Sequence, residues 1–252
     1  MGRTGQVGPP GRQEPTQRSP PRLVDHAMKN ATPRRRLRFL ATGVAALLLG
    51  ITGAQSTYAS PVLPGCPAAE IFATDNTAII TDPDDPRLMT RLRHFDHEVR
   101  RIIRAHGARP GESTLLDGVF WSDELQQTTY ERSREFDVDR AGPERLRDIA
   151  GVIAKQYDQE AVLTFRCLPR TSPETDAVEI EVPGVEASDL RKGLAEDPEA
   201  REKLGGGSVT LDGRLVLVAE IEDLPLARTF TIALGADWNE AQVQYGDREF
   251  VG

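Results

Sequence analysis

The chain has 252 residues, with 31 Lys or Arg against 39 Asp or Glu and a formal net charge of −8. That charge is unevenly spread: the first 59 residues hold nine basic and two acidic side chains, so residues 60–252 hold 22 and 37, a net of −15. A body this acidic lacks the clustered Lys and Arg that grip phosphates, which excludes nucleic acid and anionic membrane surfaces as natural partners.

In chain order, residues 1–27 are rich in Pro, Gly and Arg without apolar periodicity, and read as a disordered extension or a misassigned start ahead of Met28. Residues 28–59 have the layout of a signal peptide. Arg34, Arg35, Arg36 and Arg38 form a positive region, an apolar run follows, and Thr57 and Ala59 are the small residues before a cleavage point at Ser60. The core from Leu40 to Ile51 is about 12 residues, well short of the roughly 20 that a membrane span needs. The expected product is a secreted, extracytoplasmic protein with no stable membrane anchor after cleavage.

Residues 60–252 form the exported domain. Cys66 stands early in it, and Cys167 is the only other cysteine. Export to an oxidising compartment favours a Cys66–Cys167 disulfide over free thiols. The stretch Leu63-Pro64-Gly65-Cys66 keeps open the alternative of a lipid anchor through Cys66, although Pro64 and the polar residues before it suit that poorly.

Beyond the Asp- and Pro-rich stretch 81–86, Leu88, Leu92, Phe95, Val99 and Ile102 recur at helical spacing, and Gly107 ends the pattern. Two strands follow, 113–121 and 128–138, joined by a polar turn. A helix over 142–157 has Pro143 in its first turn, and strands are expected over 161–169 and 176–184. In the last of these, apolar and acidic residues alternate as in a half-exposed strand. A broken helix comes next, capped by Ser188 and by Asp197 and stopped by Gly205. Residues 208–220 read as one hydrophobic central strand, and Asp223 and Pro225 open a helix ending at Gly235. The tail from Asp237 suits helix and strand equally.

This order implies an α+β fold, a largely antiparallel sheet packed by four to five helices. A weak echo between residues 113–118 and 208–213, and between Arg134-Glu135-Phe136 and Arg248-Glu249-Phe250, admits two similar lobes, 80–170 and 171–252.

Signatures of catalysis are sparse. There is no G-x-S-x-G, H-E-x-x-H or C-x-x-C motif. His94 and His97 share a helix with Phe95, which belongs to the apolar stripe and turns both imidazoles to the polar side. Asp82, Asp84 and Asp85 suit helix capping better than a calcium loop. No cofactor or metal site is expected. The best candidate surface is the stretch 128–140: if extended, Tyr130, Arg132, Arg134, Phe136 and Val138 share one face, and Glu131, Ser133, Glu135, Asp137 and Asp139 the other. Arginines among apolar residues need buried partners or a bound anion. Arg132, Arg134, Glu135 and Asp137 are therefore the candidate binding residues, and none is assigned a catalytic role.

The expected function is a non-catalytic binding or interaction module for a protein or small ligand. The alternative is a carboxylate-based hydrolase of envelope or extracellular polymer, pairing Glu135 or Asp137 with an acid from the second lobe. The Arg-rich leader, the stretch TDPDDPRL and the run LLDGVFWSD with YERSREFDVDR resemble secreted proteins of actinomycete bacteria. That resemblance implies export and a high-GC source, and assigns no activity and no site residues.

Overall fold

Glu70–Ala73 forms the first strand, β1, in a computed structural model that describes Cys66, Pro67 and residues 69–252. The proposed extension, the signal peptide and the Ala59–Ser60 cleavage point lie outside the described residues. β1 is a strand that the sequence reading passed over, because four residues are too few to show alternation. A 3-10 turn, Pro86–Met89, follows, capped by the Asp85 side chain. The apolar stripe beginning at Leu88 is thus broken: Leu92 adopts a left-handed conformation (φ 50°), and α1 is confined to Arg93–Ala105. Strands β2 (Arg109–Ser122) and β3 (Gln127–Asp139) make a long hairpin, α2 spans Pro143–Gln156 and β4 Val162–Cys167.

The second half repeats this plan. β5 (Ala177–Pro183) leads into α3 (Ala187–Glu196) and α4 (Pro198–Lys203). α3 begins two residues earlier than expected, because a Glu186–Asp189 capping box, rather than Ser188, satisfies its first amides. Asp197 caps α4, accepting from the amides of Glu199 and Ala200. The stretch read as one central strand is a hairpin, β6 (Gly206–Thr210) and β7 (Arg214–Glu220). Asp212-Gly213 makes its turn, with Gly213 at φ 81° where a side chain would be strained. α5 covers Leu224–Ala233, and the ambiguous tail resolves as a short 3-10 turn and β8 (Gln242–Val251).

The eight strands close on themselves in the order β1-β3-β2-β6-β7-β5-β8-β4, every pair antiparallel. This overturns the expected α+β sheet packed by four to five helices. The molecule is a closed antiparallel β-barrel with helices on its outside. Each half is a β-α-β-β-α-β unit with strand order 4-1-3-2. Two seams, β2–β6 and β4–β8, join the halves into one continuous wall, so the sheet is not divided between lobes. The echoed residues 113 and 208 both fall in the second strand of their half. Arg134-Glu135-Phe136 and Arg248-Glu249-Phe250 fall in β3 and β8, which are not counterparts.

Two hydrophobic cores lie outside the wall. Phe95, Val99 and Ile103 of α1, with Ile149 and Ile153 of α2, pack on Ile71, Phe136, Val138 and Val162. Leu190 and Leu194 of α3 and Phe230 of α5 pack on Val178, Ile180, Leu215 and Leu217. Strand alternation therefore sends the other residue of each pair into the barrel. Phe165 is one of these, fully buried, in register with Arg248 of β8, and its ring leans over Gly246, the partner of Cys167. A Cβ at position 246 would stand 2.5 Å from both the Arg166 carbonyl oxygen and the Phe165 ring. Gly246→Ala is accordingly expected to destabilise the fold by at least the ~1–3 kcal/mol of an overpacked core, read as a lowered denaturation midpoint; an unchanged midpoint would mean that the wall yields there.

Candidate functional site

The inward row of β3 (Glu131, Ser133, Glu135 and Asp137) meets the inward residues of its neighbours. Register sets Glu70 beside Asp137 and Phe72 beside Glu135. Across the lumen, β5 contributes Glu179 and Glu181, whose partners in register on β8 are Gln244 and Gln242. Six carboxylates thus face the inside of an eight-stranded barrel, a space that side chains ordinarily fill. The acidic alternation of β5 was visible in the sequence, but it turns toward the lumen rather than toward bulk water: Glu179 is only 1 % exposed.

Few cations answer these acids. Arg214 donates to Glu181 at 2.5 Å and Arg248 to Glu220 at 2.6 Å, so each guanidinium already has a carboxylate. One carboxylate oxygen from each of Glu70, Glu135 and Asp137 lies within 4.8 Å of the others. With both groups ionised, neither oxygen of Glu179 meets a donor among the described residues, nor does Oε2 of Glu70. Such buried, unanswered oxygens are expensive, because the carboxylate loses its hydration without gaining a partner.

The proton equilibria reflect this. Burial pushes Glu135 up to about 8, reinforced by the charges of Glu179, Glu181 and Asp137 and opposed by Arg214. Burial pushes Glu179 up to about 7; a proton on Glu70 directed at it pulls the other way. Glu70 is raised well above the ordinary carboxylate range, first by burial and then by the neighbouring Glu179 charge. Glu131 is raised by burial against a hydrogen bond with Ser133, and Asp137 by burial against the Glu112 amide. Glu135, Asp137 and Glu181 stay partly exposed, so water reaches the cluster.

The expected binding residues therefore split between two sides of the wall. Glu135 and Asp137 join the lumen cluster. Arg132 and Arg134 lie on the outer face, where they have protein partners. Arg132 pairs with Asp117 and donates to the Leu88 carbonyl. Arg134 donates to Ser113 Oγ at 2.8 Å and to the Arg91 carbonyl at 3.2 Å, with Asp96 at 3.5 Å. Each arginine thus has protein partners, although Arg134 Nε is buried without an acceptor among the described residues. Glu70, Glu179, Glu181 and Arg214 were not singled out from sequence, because only barrel closure brings them to β3.

The chain matches no protein-family model and no curated protein. Among solved structures it is similar to a protein of Lactobacillus acidophilus NCFM called a "putative monooxygenase", at 13 % identity over 73 % of this chain and 95 % of that one, with a TM-score of 0.22. A likeness of that size bears on neither the fold nor the activity of this chain.

Clefts border the wall, and two of them touch β3. One, of about 480 Å³, is lined by Thr74, Ile80, Phe120, Thr129, Glu131 and Gln159. Phe120, Thr129 and Glu131 belong to the inward faces of their strands, which places this cleft at one end of the barrel. The other, of about 290 Å³, lies on the outer face among Met89, Asp117, Arg132, Ser188 and Arg191. His94 and His97 are exposed on α1, away from both. Cys66 and Cys167 are paired at disulfide distance, Cα to Cα 6.4 Å, and the bridge spans 101 residues of sequence. Among the described residues, no helix is long and apolar enough to cross a membrane.

Proposed function

We propose that this chain is an exported, non-catalytic binding module that takes a positively charged ligand into its barrel. The observation that carries this reading is the unanswered charge of the lumen, where Glu179 and Glu70 hold carboxylate oxygens without a donor among the described residues. A stable interior of this kind is completed by protons or by a cation from solution. Export is supported by the leader pattern, and the Cys66–Cys167 pairing suits an oxidising compartment.

The hydrolase alternative gains one point: Glu179, from the second half, stands with Glu135 and Asp137 as an acid pair would require. However, the barrel wall encloses these residues, and the two clefts just described reach Glu131 rather than Glu135 or Asp137. A polymer has no groove beside them there in which to lie.

The test is a calorimetric titration of the oxidised, chelator-treated protein at pH 7.5 with ligands of graded charge: spermidine, Ca²⁺ and, as a negative, acetate. Heat from at least one cation and none from acetate is expected, and it should vanish in Glu70→Gln/Glu179→Gln. Silence from both cations would overturn the reading.

A further inference from the structure

Resting on that reading, we infer that the lumen cluster is a site for a single hard divalent cation, best suited to Ca²⁺, with Glu70, Glu135 and Asp137 as its ligands and Glu179 completing it. The ligand atoms come from rigid strands rather than loops. Glu70 and Asp137 are register partners on adjacent strands, and Glu135 precedes Asp137 by one inward step. Their oxygens converge within 4.8 Å, a span that one ion can bridge with metal–oxygen distances of about 2.3–2.6 Å.

Glu179 is the independent sign of a ligand. It comes from β5, across the lumen in the other half of the chain. It is 1 % exposed, and apart from the carboxyl group of Glu70, itself one of the proposed ligands, neither of its oxygens meets a donor among the described residues. Nothing in the apolar packing explains an ionisable side chain there, since its neighbours on β5, Val178 and Ile180, face the outer core. Arg214, a basic residue on the neighbouring strand β7, is engaged by Glu181.

The chemistry of the donor set narrows the ion. All four groups are carboxylates, with no imidazole or thiolate among them, which favours hard cations over zinc or copper. Four carboxylates offer up to eight oxygens and permit bidentate contacts, the irregular coordination that Ca²⁺ accepts. Mg²⁺ demands a near-octahedral shell, and it is usually held by one or two carboxylates with several retained waters rather than by four carboxylates.

The experiment uses the full oxidised chain after chelator treatment. Its thermal midpoint is followed at pH 7.5 against CaCl₂, MgCl₂ and spermidine, with calorimetry for affinity. Ca²⁺ is expected to raise the midpoint in a saturable way and to bind at least tenfold more tightly than Mg²⁺. Glu179→Gln and Glu70→Gln should each weaken Ca²⁺ at least tenfold. Glu249→Gln, on the outer surface with Arg147, should leave it unchanged. Gln at the buried positions removes an uncompensated charge, so these variants are expected to fold, and circular dichroism verifies that they do. No effect of Ca²⁺ up to 10 mM (roughly the weakest affinity of extracellular calcium modules, exceeded tenfold) overturns the metal site, as does full Ca²⁺ affinity in Glu70→Gln/Glu179→Gln. Spermidine binding without Ca²⁺ binding overturns the metal site while sparing the broader reading; silence from both overturns both.

Discussion

Raising the pH from 5 to 8.5, with a chelator present, is expected to lower the thermal midpoint of this protein by on the order of 5–10 °C. Glu135 and Glu179 titrate near 8 and 7 in the fold, whereas an unfolded glutamate titrates near 4.3. Between those values the native state holds protons that the unfolded chain has lost. The stabilisation is complete below about pH 4.3 and is lost as the pH climbs through 7 and then 8, at up to ~1.4 kcal/mol per pH unit for each group. The ceiling, about three pH units for Glu135 and about two for Glu179, is ~7 kcal/mol. The expected shift corresponds to a few kcal/mol of it in a domain of this size, the remainder being lost to solvent screening of the partly exposed Glu135. Arg214 tempers the loss, and Glu181 and Asp137 add to it. Exposed acids such as Asp85, held down to about 2 by Arg87, act the other way, but only as the pH falls below the ordinary Asp value. Glu179→Gln should flatten the profile and raise the midpoint at pH 8. A midpoint that is level or rising from pH 5 to 8.5 would show that the lumen carboxylates are solvated.

The second large effect concerns the bridge. Cys66→Ser is expected to lower the stability of the oxidised protein by about 4–5 kcal/mol, because the bridge closes a loop of 101 residues in the unfolded chain. A midpoint lowered by on the order of 10–20 °C would report it. Reductant should bring the wild type down to the variant and leave the variant where it is. An equal drop of both proteins under reduction would argue that the two sulfurs are unpaired.

Much of the local structure was legible in the sequence, and the closed wall was not. Pro143 and the stripe of Leu146, Ile149 and Ile153 announced α2 because a helix displays its buried face at a fixed period. The two faces of β3 were likewise readable from alternation. Alternation states only that a strand has two environments; it does not say whether the polar one is open water or the inside of a barrel. Glu179 and Glu181 on β5 therefore looked like the wet side of a half-exposed strand. Asp212-Gly213 lay inside a long apolar run and its turn was passed over, merging β6 with β7 and hiding one of the eight strands. Without β1 and β6 the strand count was too low for closure, and so Glu70 was never brought to Asp137.

The two seams carry a consequence for how the molecule closes. Either β-α-β-β-α-β half, taken alone, has open edges and presents its acidic face to water, where carboxylates remain hydrated and ionised. The lumen comes into being only when β2 finds β6 and β4 finds β8. Dehydration of Glu70, Glu135 and Glu179 is therefore tied to closure of the wall and not to the local structure of either half. Whatever protonates or neutralises these carboxylates therefore bears on how firmly the two seams hold the halves together.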